Sequence, residues 1–167
     1  MEKSAMLLIF CFTLNASAAR AMFIETPREG VCFGPSGGLV SGEGSTAGAF
    51  TFEFTYGFQV LSFWPCAASA DFRYLEIDGS PAYGPAFELS AFMGPIVGVG
   101  AGRLYGDNPG TVRTIFVGVP IPASEKFQWR FYESAVVLVE PYYRLNFFRG
   151  GRFHEFGVYI KLGLWNS

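Results

Sequence analysis

The sequence predicts an all-β fold, an antiparallel up-and-down transmembrane β-barrel of eight strands, and three observations lead there. First, the run from Phe153 to Trp165 alternates with period two: Phe156, Val158, Ile160, Leu162 and Leu164 share one parity, while Glu155, Gly157, Tyr159, Lys161 and Gly163 share the other. A helix would scatter these residues around its axis, whereas a strand sends them to opposite faces. Second, the pattern recurs near the other end of the chain. Phe50, Phe52, Phe54, Tyr56, Phe58 and Val60 alternate with Thr51, Glu53, Thr55, Gly57 and Gln59. Third, 18% of the 167 residues are aromatic, nineteen of them phenylalanine, while only 16% are charged, against ~25% in ordinary globular chains. A small soluble protein has a large surface to cover with polar groups, so this composition points to a surface that meets lipid. No uncharged stretch reaches eighteen residues; the longest, Phe54 to Ala70, contains Gly57 and Pro65. That disfavours a membrane helix, and a closed barrel is the other way to satisfy the backbone in hydrocarbon.

Residues 1–21 read as a secretory signal peptide: Lys3 is basic, Ala5 to Leu14 is apolar, and Ala16-Ser17-Ala18 or Ala19-Arg20-Ala21 offers small residues for cleavage. Residues 22–167 then form the barrel domain. Met22 to Gly30 is a terminal arm, and Val31 to Val40 is a first strand limited by Pro35. Gly42 to Gly48 is a flexible connection before the phenylalanine-rich second strand. Pro65-Cys66 turns the chain into a third strand, Ala68 to Ile77, closed by the turn Asp78-Gly79-Ser80-Pro81. Pro85 to Met93 is the fourth strand and Ile96 to Tyr105 the fifth, with Gly98, Gly100 and Gly102 relieving crowding on a lumen face. Thr111 to Pro120 is the sixth, and Ile121 to Lys126 a loop. Trp129 to Phe148 is too long for one crossing of ~9–11 residues, so it is either a protruding strand or two strands parted near Glu133. Arg149 to Arg152 closes the last hairpin. The count is seven or eight strands, and the evenness of single-chain bacterial barrels selects eight.

The polar parities carry Glu53, Asp71, Arg73, Glu88, Arg130, Glu140, Arg144, Glu155 and Lys161. An eight-stranded barrel has an interior that side chains just fill, so opposite charges there pair into a structural lumen network. Glu140, Arg144, Glu155 and Lys161, on adjacent strands, are its leading members. Export to an oxidising compartment makes a disulfide between Cys32 and Cys66 an option, beside two free thiols. With one histidine, His154, they do not make a metal site. The glycines at 34–38 and 98–102 lack the lysine, acid and helix of nucleotide loops, and no cofactor is expected. A net charge of -2 with no basic block excludes nucleic acid as a partner. Trp64, Trp129, Trp165 and several tyrosines near segment ends suit aromatic girdles.

The final strand, with Glu140-Pro141-Tyr142-Tyr143-Arg144 before it, resembles small outer-membrane barrel proteins of Gram-negative bacteria of the eight-stranded adhesin and stability type. The resemblance implies residence in the bacterial outer membrane, lipid as the principal partner, a protein partner reached through surface loops, and no catalysis. Such barrels end on an aromatic residue, whereas here Asn166-Ser167 follow Trp165. Three other readings stay open. One is a membrane-lipid hydrolase using His154 with Ser134 or Ser90, although the serine and asparagine that follow the histidine in outer-membrane lipid A deacylases are absent after His154. Another is a soluble lipocalin-like barrel with its phenylalanines turned inward around an apolar ligand. The third is an accessory subunit of a larger membrane complex.

Overall fold

A computed structural model of the chain describes residues 29–42, 46–60, 64–77, 79–92, 95–107, 109–129, 132–149 and 151–166. The expected signal peptide and Arg130 lie outside these residues. The strands are β1 Glu29–Ser41, β2 Thr46–Val60, β3 Trp64–Ile77, β4 Ser80–Phe92, β5 Ile96–Gly106, β6 Gly110–Gly118, β7 Ile121–Pro122, β8 Phe127–Trp129, β9 Tyr132–Phe148 and β10 Gly151–Asn166. Each long strand pairs antiparallel with the next, and β10 returns to pair with β1 from Glu29↔Asn166 to Ser41↔His154. The sheet therefore closes on itself and leaves no long edge strand. β7 and β8 are short continuations of β6, and both pair with β9. The barrel thus has eight staves: β1 to β5, the interrupted β6–β8, β9 and β10.

Two boundaries differ from expectation for physical reasons. Ile121 to Lys126 read as a loop, yet the chain from Val119 onward runs along β9, through Val119 N to Pro141 O and Ala123 N to Val137 O. β5 stops at the pair Ile96↔Gly118, so this continuation has β9 as its single neighbour. A proline costs little on a side where no ladder bond is required. The long segment before Phe148 divides at 130–131, between β8 and β9.

The wall has inverted polarity. Phe50, Phe52, Phe54, Phe72, Phe87, Leu89, Val99, Phe156 and Ile160 are all between 46% and 67% exposed on its outer face. Glu53, Asp71, Arg73, Glu88, Glu140, Arg144, Glu155 and Lys161 are buried on the inner face. A chain folded for water does the reverse, so hydrocarbon is the medium that this outer face fits. The alternative with phenylalanines turned inward is thereby overturned. Near the ends the outer parity is less uniform: Leu164, on that parity, is buried.

The strand bounds leave four, two, three and two residues in the connections at one end, 42–45, 78–79, 107–109 and 149–150. We call this the turn end. The other, terminal end holds Glu29, Asn166 and the connections at 61–63, 93–95 and 130–131. At the turn end the outer face carries a row of tyrosines across three strands, Tyr74↔Tyr83↔Tyr105. Their amphipathic rings suit the interface between lipid and water. They form an aromatic belt at that end, in keeping with the tyrosines expected near segment ends. Trp165 shares the lumen parity and sits over Gly163, where an added Cβ would lie 2.6 Å from its ring. The side chains of Trp64 and Trp129 are outside the described set.

Candidate functional site

The lumen is filled in layers. Nearest the turn end, Val40, Ala49, Leu75, Ala82, Leu104, Val112, Phe148 and Phe153 form one apolar cluster, with one residue from each stave. Strand alternation places these side chains at a common height, and their burial removes water from that end of the barrel.

Below lies an ionic layer around two arginines that are fully buried. Arg144 Nε donates to Glu88 Oε1 at 3.0 Å, its Nη2 to Glu88 Oε2 at 3.1 Å and to Tyr159 OH at 2.7 Å, and its Nη1 to Glu155 Oε1 at 3.3 Å. Asp71 and Glu53 also approach Nη2, at 3.3 and 3.6 Å. Arg73 reaches Asp71 Oδ2 at 2.9 Å, Thr114 Oγ1 at 3.0 Å and Asn146 Oδ1 at 3.3 Å, and pairs with Glu88. The planar guanidinium fork, with five donors and no acceptor, is suited to bridging several carboxylates at once. Asn146 Nδ2 donates to Glu155 Oε2 at 3.2 Å, extending the layer.

An aromatic layer follows. The rings of Phe116, Tyr142 and Tyr159 sit 5.2, 4.7 and 5.4 Å from Arg144 Cζ, a cation–π arrangement in a dry site. Tyr142 OH donates to Glu155 Oε1 at 2.8 Å and lies 3.2 Å from Ser36 Oγ. Its ring crosses Gly157, where a Cβ would come within 2.7 Å of three ring and hydroxyl atoms. Gly157→Val therefore displaces Tyr142 and is expected to cost ~1–3 kcal/mol as an overpacked core position. The urea midpoint of vesicle-inserted protein measures this; an unchanged midpoint refutes the packing account. Nearest the terminal end, Lys161 Nζ holds Glu53 Oε1 at 2.6 Å and Glu140 Oε2 at 3.0 Å.

Glu53, Arg73, Glu88, Glu140, Arg144, Glu155 and Lys161 thus come together, with Asp71, in one connected network. Sequence reasoning left out Thr114, Asn146, Tyr142, Tyr159 and Ser36, all on the lumen parity of their strands. Glu53, Asp71 and Glu88 bring carboxylate oxygens within 4.8 Å of one another. The Arg73 and Arg144 guanidinium groups contact these same residues, so protein cations already occupy the place that a metal ion would need.

Cys32 and Cys66 are both free thiols, so the disulfide option is not realised. Cys32 is opposite Thr55 on β2, whereas Cys66 is opposite Phe58. They lie two strands and three residues of register apart, roughly 10 Å in each direction at ordinary strand spacings, beyond what a disulfide spans.

His154 is on the outer parity, and its Nδ1 is 2.8 Å from Tyr143 OH. It pairs with Leu145 and Ser41 near the turn end, whereas Ser134 pairs with Trp165 and Ser90 with Ala67 toward the terminal end. Neither serine can reach the imidazole. Ser41 stands across from it without a hydrogen bond, in a stretch whose backbone N–H groups are committed to the β1 ladders, so no oxyanion pocket is formed.

No family model matches the chain, and neither does any curated protein. Among solved structures, that of neisserial surface protein A, NspA, superposes with a TM-score of 0.53 at 13% identity, covering 82% of this chain and 96% of that one. Ail, the attachment invasion locus protein of Yersinia pestis, solved with the heparin analogue sucrose octasulfate, gives a TM-score of 0.44 at 13% identity, over 81% and 97% of the two chains. The similarity to NspA is one of fold: a small, closed membrane barrel.

Proposed function

We propose that this chain is a non-catalytic barrel of the bacterial outer membrane whose lumen network is a structural plug and whose principal partner is lipid. The observation that carries the reading is the inversion of polarity across the wall, with apolar side chains half exposed outside and eight charged ones buried within. A sealed interior leaves no water path for ion conduction, because an apolar layer and an ionic layer succeed one another along the axis. Membrane fractionation with heat-modifiable gel migration tests the assignment. A folded, faster-migrating species in the outer-membrane fraction supports it; recovery of the processed chain as a monodisperse species in detergent-free buffer refutes it.

The turn end supports lipid over protein as the main contact. Connections of two to four residues offer little for a protein partner to grip, in contrast to the surface loops expected from the resemblance. Just beyond the apolar band, Arg103, Arg113 and Arg152 stand exposed on the outer parity of β5, β6 and β10. Arg113 and Arg152 both pair with Phe147. Guanidinium groups at this height suit lipid phosphates. Replacing all three with glutamine is expected to weaken association with vesicles containing anionic lipid, while insertion into neutral vesicles is unchanged. Co-flotation at low and high salt reads the difference, since screening removes the exposed electrostatic part.

A further inference from the structure

Below Lys161 and Glu140 the lumen is not filled. A cup of about 180 Å³ opens toward the terminal end, with Ile96, Leu138 and Trp165 on one side of it. The other side is set back: Gly57, Ala67 and Ser90 stand in register across β2, β3 and β4, and their short side chains leave the axis of the barrel empty at this height. Cys32 also lines the cup, and although its side chain has the lumen parity it is only partly buried, so the space is reached from outside. The inner limit offers no charge to a newcomer. Lys161 Nζ is held by Glu53 at 2.6 Å and Glu140 at 3.0 Å and lies 4.2 Å from the centre of the Tyr159 ring. Glu53 is met by Arg144 as well, at 3.6 Å. Glu140 Oε1 is turned to Gly118 and has no accessible surface. Thr55 Oγ1 is committed to Glu53 and lies 3.0 Å from Ser69 Oγ. An ionised group of either sign would therefore leave water without gaining a counter-charge, which is costly.

We infer that the cup is a binding site for a small uncharged apolar molecule of single-ring size, seated against Ile96, Leu138 and Trp165. A cavity of ~150 Å³ lined by apolar groups holds a benzene ring, which matches the volume. Removal of the ring from water supplies the affinity, and the indole of Trp165 adds an aromatic contact. The site goes beyond the structural role proposed above.

The test uses the full chain in phosphatidylcholine nanodiscs, with toluene as probe and benzylamine and benzoate as charged molecules of similar size. Alkylation of Cys32 by iodoacetamide, resolved from that of Cys66 by mass spectrometry of peptides, reports occupancy. Toluene is expected to slow the reaction saturably, and both charged analogues should need concentrations at least about tenfold higher, the penalty for burying an unpaired charge. Ala67→Phe places a ring in the cup from the protein itself. In that variant Cys32 should react, without ligand, as slowly as in the toluene-saturated protein, and toluene should slow it no further. This separates binding in the cup from partition into the bilayer. Heat-modifiable migration confirms that the variant is folded; Ser90→Leu, from the same row, takes its place if it is not. Protection by toluene that does not saturate, equal protection by benzylamine or benzoate, or saturable protection that persists in the folded variant would overturn the inference.

Discussion

Arg144→Met is expected to lower the stability of the inserted barrel by ~3–5 kcal/mol, the cost of removing one partner from a buried ionic cluster. Arg144 is fully buried and serves Glu88, Glu155, Asp71 and Tyr159 at 2.7 to 3.3 Å. Methionine fills a similar volume, so the loss comes from carboxylates stranded in a dry lumen and not from a void. Two companions decide this. Arg144→Lys keeps the charge but lacks the planar fork and the stacking on Tyr142, at 4.7 Å, so it should recover only part of the loss. Adding Glu88→Gln and Glu155→Gln to Arg144→Met removes the stranded charges and should restore more than half of it. Urea unfolding of vesicle-inserted protein, read by heat-modifiable migration, gives all four midpoints. If Arg144→Met unfolds with the unaltered protein, the ionic layer contributes nothing to stability and its role as a plug fails.

Why the sequence discloses the wall more readily than the network follows from the same geometry. Alternation is local: Phe50 to Tyr56 and Phe156 to Ile160 declare their parity within seven residues, and with eight such segments closure follows. The partners of Arg73 do not declare themselves, because Thr114 and Asn146 are 41 and 73 residues away and meet it only once register is fixed. Neutral side chains such as Tyr159 and Thr114 carry no charge to mark them as lumen residues, although their parity does. Trp165 is a subtler case. It shares parity with Lys161 and Gly163, which places it inside, yet tryptophans near strand ends are readily taken for girdle residues. A division of Trp129 to Phe148 near Glu133 was one of two options, and it falls slightly earlier, at 130–131, where Arg130-Phe131 carries neither glycine nor proline to fix the place. The pairing of 119–129 with β9 was masked by prolines that the ladder tolerates only because β5 ends early.

Phe87→Arg is the change that separates a lipid-facing wall from a water-facing one. Phe87 lies near the middle of β4, is 67% exposed, and pairs with Ala70 and Ala101, whose small side chains leave its ring to the surroundings. On a surface in water, exchanging an exposed phenylalanine for arginine stays within ordinary surface effects, about ±0.5 kcal/mol. In hydrocarbon the same change costs ~2–4 kcal/mol at the midplane and falls to ~0–1 kcal/mol near the interface. The informative comparison is therefore between two depths on one strand. Tyr83, four residues closer to the turn end and 44% exposed, should accept arginine with little loss, because the guanidinium reaches the headgroup region. Phe87→Arg should lower both the folded fraction after insertion into vesicles and the urea midpoint. Equal, small effects at the two positions would mean that the phenylalanine rows do not touch lipid, and the membrane assignment would fall with them. A large loss confined to Phe87 would locate the centre of the apolar band at that residue and place the turn-end arginines Arg103, Arg113 and Arg152 at the level of lipid phosphates.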